Sequence, residues 1–384
     1  MGDELTALER INIVLDGGIP DRVPSLCLGS DFKFMDLFMR SPYALTEEDL
    51  DFFDKADMSP RFLHTQYLLA KFSPTSIYPN GLDAKVDLCW EIVDGIQLKK
   101  GEDPDTLVTA NGQIFKFIVN DEGTPAYWYT GPALNSKEKI KECWEHPEDF
   151  KVDKNRFKVL SKNRKKMKKF DIVVAQGFGG PFENCILGIG LSTFAKLARK
   201  EPEILKKHLD FMWENYQKKN MEYLLRTKPD IVMIRNDIGH NDGLQLPLKQ
   251  WQEFFKPILK HYVNTVHDAG VNFILHCCGA IKELFPDFID LGIDGVESLQ
   301  PTINNLEIYR EKYPEIALLG TIDDTGLLVN GTPEEVRHDV QNKIKRLGKN
   351  GGYIPGPTNW LLDQKPENVV ALYKAIRDFG AYDQ

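Results

Sequence analysis

VNFILHCCG (271–279) shows the pattern on which the fold assignment rests: a short apolar run that ends in polar residues that can carry chemistry. Amphipathic stretches lie on both sides of it, at 248–269 and near 280–291. The same pattern recurs along the C-terminal half of the chain, in IVVAQ (172–176), DIVMI (230–234), GVESL (295–299), IALLG (316–320) and GGYIP (351–355). Strands that alternate with helices in this way indicate βαβ units and a parallel sheet.

The number of these runs favours a closed barrel over an open sheet. Six strand signals follow residue 170, and DRVPSLCLG (21–29) is a further candidate in the first part of the chain. We therefore predict an α/β protein with a TIM (β/α)8 barrel. No linker divides the chain, so we expect a single domain over residues 1–384. The alternative is an open doubly wound sheet, but no G-x-G-x-x-G follows an early strand to support it.

The segment 60–150 departs from this rhythm. It is irregular and rich in aromatic residues, among them Trp90, Tyr127 and Trp128. We predict that it is an N-terminal elaboration of the barrel, with a small β-hairpin or meander at 107–130.

Charge and composition exclude several classes of partner. The 384 residues include 48 lysines and arginines against 57 aspartates and glutamates, and the net charge of −9 opposes binding to nucleic acid or anionic lipid. No run of about 18 apolar residues is present, and the N-terminus resembles no leader. The six scattered cysteines do not suggest a disulfide framework. We expect a cytoplasmic protein without a nucleic-acid or membrane partner, and the oligomeric state stays open.

Polar residues that directly follow the apolar runs are the candidate site residues. In a parallel barrel the catalytic groups project from the C-terminal ends of the strands and from the loops behind them. We predict that five of these residues contact substrate: Asn236, His240, Gln300, Asn359 and Trp360. His240 is equally compatible with an exposed position.

His276 and Cys278 form the most specific pair among the candidates. Side chains two residues apart in a strand point to the same side, so these two can bind one ion while Cys277 points away. An imidazole and a thiolate are ligands that zinc accepts. The alternative is that both are ordinary buried residues, since free cysteine is among the most buried residue types.

Three carboxylates are candidates for acid–base catalysis. Asp237 and Asp323 come immediately after apolar runs, so each can act as a general acid or base, or instead cap the next helix. For Asp242 and Asp324 the capping role is the better interpretation. Glu297 lies inside an apolar strand, where an unpaired carboxylate is costly, so it needs a cation, a metal or a proton beside it.

The motifs of the chain resemble those of the uroporphyrinogen decarboxylase superfamily. They run from about residue 10 to 378 and include DRVP (21–24), FFKPILK (254–260), HCCG (276–279), GIDGVESLQP (292–301), GTIDDTGLL (320–328), NGTPEEVR (330–337) and GGYIPGPTNW (351–360). The resemblance implies a TIM-like barrel, in agreement with the strand rhythm. It also implies either decarboxylation of a porphyrinogen or corrinoid-dependent methyl transfer.

Within that family the resemblance favours the corrinoid-dependent methyltransferase branch. The decarboxylases carry an arginine-rich RQAGRY stretch after the first strand, whereas residues 28–34 here read LGSDFKF. A substrate with many carboxylates needs fixed cations, so the missing arginines count against decarboxylation. The His-x-Cys-Gly motif is typical of the methyltransferases, in which the residues at the positions of His276 and Cys278 bind zinc.

The chain departs from this branch at the third zinc ligand. Methyltransferases that act on thiols place a cysteine in the loop after the last strand, but residues 356–360 here read GPTNW. If zinc is bound, the remaining ligand is therefore expected to be a carboxylate, Glu297 or Asp237. An ion with fewer thiolate ligands keeps more positive charge, which suits an oxyanion leaving group.

We therefore expect a methyltransferase that moves a methyl group from an O-methyl substrate, an aryl methyl ether, to the cobalt of a corrinoid. No D-x-H-x-x-G cobalamin motif is present, so the corrinoid should arrive on a partner protein. Asp237, Glu297 or Asp323 would supply a proton, or a carboxylate would hold zinc with His276 and Cys278. The alternatives are a zinc-dependent methyltransferase between a methylcorrinoid and a thiol or tetrahydrofolate, a decarboxylase, and a non-catalytic binding protein.

Overall fold

The structure, a computed structural model, describes residues 5–30, 32–43, 86–92, 98–119, 125–168 and 171–382. Of the segment predicted to be irregular, residues 60–85 lie outside this part of the chain. The strands are β1 (Leu26–Cys27), β2 (Leu88–Ile92), β3 (Leu98–Lys100), β4 (Thr106–Thr109), β5 (Gln113–Val119), β6 (Pro125–Pro132), β7 (Val173–Gly177), β8 (Ile231–Arg235), β9 (Gly239–His240), β10 (Gly243–Leu244), β11 (Asn272–His276), β12 (Gly295–Glu297), β13 (Ala317–Leu319) and β14 (Tyr353–Ile354).

Helices follow most of the strands. They are α1 (Ala7–Leu15), α2 (Phe32–Met39), α3 (Lys137–Glu145), α4 (Lys154–Met167), α5 (Pro181–Ile189), α6 (Leu191–Lys200), α7 (Pro202–Met212), α8 (Lys218–Arg226), α9 (Leu248–Gln250), α10 (Lys256–His267), α11 (Phe285–Leu291), α12 (Leu306–Lys312), α13 (Leu327–Asn330), α14 (Pro333–Leu347) and α15 (Pro366–Phe379). Single π-helical turns join α7 to α8 and α9 to α10, at Trp213–Gln217 and Trp251–Phe255. Short 3₁₀ turns occupy Pro147–Asp149 and Lys282–Leu284.

Eight strands of the described chain form the barrel. Their order is β1-β2-β7-β8-β11-β12-β13-β14, and every neighbouring pair is parallel. The first and last strands approach each other, since the Leu26 N–H donates to the Pro355 carbonyl at 2.9 Å and Ser30 bridges Leu361 in parallel. The predicted TIM-barrel fold is therefore confirmed, as a nearly closed barrel.

The predicted meander is also confirmed. Strands β3 to β6 form a four-stranded antiparallel sheet in sequence order, between the second and third barrel strands. Gly112, with φ of 87°, lies in the turn that joins β4 to β5. The elaboration thus starts earlier than the predicted 107–130, because β3 precedes it.

Helix α1 closes the N-terminal end of the barrel. It begins with a capping box of Thr6 and Glu9. Its buried face joins the inner core, which is built from inward-facing residues of seven of the eight barrel strands, all except β12. Asn12 accepts a hydrogen bond from Asn272 at 3.2 Å, at the start of β11. Because this end is covered, a site must open at the other end, where the strands finish.

A buried ion network fixes α1 in this position. Arg10 is fully buried, and its Nε lies 2.6 Å from Asp21 while its Nη1 lies 3.4 Å from Asp87, just before β2. Arg22 pairs with the same Asp87 carboxylate at 2.8 Å. Removing one partner of such a network leaves an uncompensated buried charge, at a cost of about 3–5 kcal/mol.

Several helix boundaries follow the sequence signals. Thr332 and Glu335 form a capping box at the start of α14, with Pro333 at its first position. Gly292 ends α11 in the left-handed conformation, with φ of 76°. Within the described ranges, no helix combines the length and the apolar composition needed to cross a membrane.

Candidate metal centre at the barrel mouth

Three charged side chains lie in one inward-facing layer at the C-terminal end of the barrel. Arg235 of β8 is in register with His276 of β11, and His276 is in register with Glu297 of β12. Side chains alternate along a strand with period two, and Met233 and Ile274, two residues earlier, line the barrel interior. The strand pattern therefore brings these three residues together at the mouth.

His276 is held from behind by Glu297. The Glu297 carboxylate hydrogen-bonds to Nδ1 of His276, and the Glu297 side chain is completely buried. The ring of Trp90 lies beside the imidazole, with 4.9 Å between the ring centroids. His276 is thus the partner that a carboxylate inside an apolar strand requires.

Burial and charge keep a proton in this pair. Burial raises the pKa of Glu297, and the nearby imidazole offsets this only in part. Burial by itself lowers the pKa of His276, but the Glu297 carboxylate and the Cys278 sulfur outweigh it and hold that pKa well above its usual value. A carboxylate beside Nδ1 accepts a hydrogen bond from it, so the proton of the neutral ring is on Nδ1. Nε2 is then the nitrogen whose lone pair can bind an ion.

Three ligand atoms converge at Nε2. Asp237 Oδ1 and Cys278 Sγ each lie 3.6 Å from His276 Nε2, and all three atoms lie within 4.8 Å of one another. Zinc bonds of about 2.0–2.3 Å at tetrahedral angles separate their ligands by roughly 3.3–3.6 Å. The spacing and the N, O and S donor atoms therefore fit a zinc ion. The Asp237 side chain is 35% exposed, so the group is open to solvent on that side.

The turn after β11 is shaped to present Cys278. Gly279 has φ of 92°, and a Cβ there would lie 2.4 Å from the backbone of Gly239, so the turn needs glycine. Asp237 Oδ1 accepts the Cys278 N–H at 2.8 Å, and Gln300 Oε1 accepts the Gly279 N–H at 2.9 Å. Gln300, predicted to contact substrate, thus supports this turn through its Oε1.

The neighbouring cysteine takes no part in the group. Cys277 is fully buried in the outer core, and its sulfur accepts the Ile238 N–H at 3.4 Å. The alternation of the strand explains why Cys277 and Cys278 point to opposite sides.

Of the two carboxylates expected as the third ligand, only Asp237 belongs to the group. Glu297 is directly opposite His276 in the sheet, so its carboxylate meets Nδ1, the other ring nitrogen. Asp237 extends beyond the end of β8 and reaches Nε2. This register places the Glu297 carboxylate behind the imidazole and outside the group, where its hydrogen bond to Nδ1 fixes the His276 ring.

Asp323, expected to be catalytic, caps a helix. Its carboxylate accepts the backbone N–H groups of residues 325–327, at 3.0–3.2 Å, at the start of α13. Burial opposes the change, but these donors lower the pKa of Asp323. Asp324, expected to be a cap, is buried and hydrogen-bonded to the Thr358 hydroxyl. Asp323, and not Asp324, therefore accepts the N–H groups at the start of α13, because that helix begins so soon after β13.

Asn236, predicted to contact substrate, also caps a helix. It is fully buried, and its Oδ1 accepts the Phe182 N–H at 3.0 Å in the first turn of α5. Its side-chain oxygen is therefore engaged by the backbone of α5.

The other predicted substrate contacts lie at the rim. His240 is exposed on the β9–β10 hairpin. Asn359 is exposed and accepts the Trp360 N–H at 2.8 Å, while Trp360 packs partly against the inner core. The structure brings none of these three into the ligand group.

Two features near the group escaped the sequence reasoning. Arg235 donates from Nε to Glu183 at 2.8 Å, and burial raises the pKa of Glu183 against the effect of this arginine. Arg235 lies two residues after Met233, which faces the barrel interior, and this alternation is the sequence signal that could have identified it. Ser298 lies with its Oγ 3.0 Å from Cys278 Sγ, in a left-handed conformation that nothing in the sequence indicates.

Comparison with known proteins gives one match at the level of sequence. Residues 125–379 match the family model described as uroporphyrinogen decarboxylase (URO-D). No curated protein matches the chain significantly.

Solved structures resemble the chain to very different degrees. A methyltransferase from Methanosarcina mazei superposes with a TM-score of 0.62 and 17% identity, over 98% of this chain and 99% of that one. D-psicose 3-epimerase with D-tagatose from Clostridium cellulolyticum H10 has a TM-score of 0.35 and 12% identity, over 63% and 91% of the two chains. The catalytic domain of GH30 xylanase C from Talaromyces cellulolyticus has a TM-score of 0.35 and 10% identity, over 88% and 68%. Only the first of these shows a common fold along nearly the whole chain.

Proposed function

The chain belongs to the uroporphyrinogen decarboxylase (URO-D) family, and from that premise we propose that it is a corrinoid-dependent methyltransferase. We propose that it moves the methyl group of an aryl methyl ether to the cobalt of a corrinoid carried by a partner protein. The observation that carries the proposal is the convergence of Asp237, His276 and Cys278 at the barrel mouth. The fold shared with a methyltransferase supports it.

The donor set suits an oxygen leaving group. Asp237, His276 and Cys278 would hold zinc and leave a fourth position for substrate, as in other catalytic zinc sites. When bound, the ion acts as a Lewis acid toward the substrate oxygen. With a single thiolate among its ligands it keeps more positive charge than a site with several.

The transfer breaks the methyl–oxygen bond of the ether. Its electron pair stays on the aryl oxygen, and the methyl carbon bonds to the cobalt, which supplies the new pair. The developing oxyanion needs a positive partner fixed in place before the reaction. Glu297 holds the His276 ring in place through Nδ1, so that Nε2 is already oriented before the reaction starts.

The fold favours one direction of approach. Helix α1 covers the N-terminal end of the barrel, and the exposed side of Asp237 opens at the other end. The corrinoid protein would therefore dock over the ends of the strands, where the polar rim residues His240 and Asn359 are exposed.

Methyl transfer from methoxyarenes to Co(I) cobalamin tests the proposal. We expect zinc-loaded protein to consume Co(I) and release the phenol in equal amounts, and His276→Ala to abolish both. Asp323→Ala, which changes a carboxylate outside the ligand group, is the matched control and should retain activity. No demethylation across a broad panel, together with conversion of thiols by methylcobalamin, would establish the thiol alternative instead.

A further inference from the structure

Asn304 contacts the turn after β11 from the segment that leads from β12 to α12. It is buried, with 5% of its surface exposed. Its amide nitrogen donates to the carbonyl of Gly279 at 3.0 Å and to the carbonyl of Gln300 at 3.2 Å. Its amide oxygen accepts the hydroxyl of Tyr309 at 2.8 Å and the N–H of Ile281 at 3.5 Å. A side-chain amide has two hydrogens and two lone pairs, so every one of its hydrogen-bonding positions is used.

The turn that Asn304 contacts has a glycine at its centre. Gly279 has φ of 92°, and glycine has more backbone freedom to lose on folding than any other residue. The Gly279 N–H is held by Gln300 Oε1 at 2.9 Å, and the Gly279 carbonyl is held by the Asn304 amide. Residues 300–304, which we call the clamp segment, therefore fix both polar groups of this glycine. Cys278 directly precedes the glycine, so the direction of its side chain depends on the clamp segment.

The clamp segment is anchored from the other side by a pair of aromatic rings. Tyr309 of α12 is only 1% exposed, and its ring centroid lies 4.2 Å from that of Phe285, the first residue of α11. Because the packed Tyr309 ring carries the hydroxyl that donates to Asn304, the amide is held in one orientation. The clamp segment thus transmits the position of two helices to the turn.

We propose that Asn304 is a positioning residue for the metal centre, because it fixes the turn that directs Cys278 toward His276. Cys278 Sγ lies 3.6 Å from His276 Nε2, a separation that suits two ligands of one zinc ion. A ligand that is already held in place loses less freedom when the ion binds. Asn304 acts through the backbone of Gly279 and not through a bond to the ion. The inference rests on the metal centre of the proposed function and assigns its support to a residue outside it.

Two substitutions weaken the clamp segment, and a third provides the matched control. Asn304→Asp keeps the shape of the side chain but puts an oxygen where the amide nitrogen donates to two carbonyls. Tyr309→Phe removes one hydroxyl and leaves Asn304 in place. Asn305→Ala changes the adjacent asparagine, which accepts the Ile308 N–H at 3.1 Å and caps α12. The control therefore costs stability at the same point of the chain without touching the turn.

The full chain is titrated with zinc against a chromophoric chelator, and with cobalt(II), whose bond to a thiolate gives a charge-transfer absorption band. We expect zinc affinity to fall about 10–100-fold in Asn304→Asp, the range typical of residues that support a metal ligand. In Tyr309→Phe it should fall about 2–10-fold, the value of one ordinary hydrogen bond. The band per bound cobalt should weaken in Asn304→Asp, because Cys278 is no longer directed toward the ion. Asn305→Ala should keep both the affinity and the band of the wild type.

Equal zinc affinity in Asn304→Asp and Asn305→Ala would overturn the inference, and so would a full charge-transfer band in Asn304→Asp. If Asn304→Asp does not fold, wild-type affinity in Tyr309→Phe would overturn it. In each case a wild type that binds zinc leaves the proposed function intact. A wild type that binds no zinc defeats the metal centre itself, and the role of Asn304 with it.

Discussion

Asp237, after β8, turns toward the side chain of His276 at the end of β11, whereas Asp323, after β13, turns toward its own backbone. The two aspartates are comparable, because each comes three residues after the end of an apolar run. Asp237 lies 3.6 Å from the imidazole of His276. Asp323 is occupied by the N–H groups that begin α13.

The element that follows each aspartate accounts for the difference. A helix begins four residues after Asp323, and its first N–H groups have no partners within the helix, so they bind the nearest carboxylate. After Asp237 the chain enters the β9–β10 hairpin, which offers no such set of donors. A strand-end carboxylate is therefore available for chemistry when no helix starts within the next few residues.

The largest expected effect separates these two aspartates directly. Asp237→Ala removes a candidate ligand, so zinc affinity should fall by more than the roughly 100-fold upper range for supporting residues. Asp323→Ala should leave zinc affinity within about twofold of the wild type, because capping does not reach the ligand group. Competition with a chromophoric chelator measures both. Equal losses of zinc affinity in the two variants would show that Asp237 and Asp323 do not differ in their effect on the metal centre.

Glu297→Gln changes the group that contacts Nδ1 of His276, so it tests whether a residue outside the ligand group affects zinc binding. The amide can donate to Nδ1 and favour the imidazole tautomer whose proton is on Nε2, the wrong side for an ion. We expect zinc affinity to fall about 10–100-fold with the fold intact. The circular dichroism spectrum provides the control, and unchanged affinity would mean that Glu297 does not orient His276.

The outer helices should show a pH dependence of their own, separate from the rim. Burial lowers the pKa of His208 to about 4, and its Nδ1 accepts the Trp144 indole N–H at 3.3 Å. The unfolded chain takes up a proton here below pH 6.5 and the folded chain does not until near pH 4, so stability falls as the pH falls. Between pH 6.5 and 5 the loss should be about 1.5 kcal/mol.

His208→Gln tests this dependence, because it keeps a hydrogen-bond acceptor and cannot titrate in that range. Urea denaturation at several pH values should show a shallower loss of stability in the variant. The same slope in both proteins would place the pH dependence elsewhere.

The smallest effect is the stability cost of the Asp323 cap. Asp323→Ala leaves the first N–H groups of α13 without their carboxylate, so the free energy of unfolding should fall by about 1 kcal/mol. Urea denaturation measures it, with Asp323→Asn as the variant that keeps an acceptor. A loss of several kcal/mol would show that Asp323 does more than cap a helix.

The fold was more predictable than the site, and for a physical reason. Apolar runs and helix caps are local signals, so the strands after residue 170 and the start of α14 could be predicted. Strand β2 was missed because its LCWEI stretch lies within an irregular, aromatic segment. The position of Glu297 behind His276 depends on the register between β11 and β12. Strand register is a property of the whole sheet, so the local sequence could not predict it.

X-ray absorption at the zinc edge of the loaded wild-type protein measures the ligands of the proposed metal centre. We expect one sulfur ligand at about 2.3 Å and nitrogen or oxygen ligands at about 2.0–2.2 Å, with the sulfur contribution lost in Cys278→Ser. A shell of several sulfurs, or a sulfur signal that persists in Cys278→Ser, would contradict it.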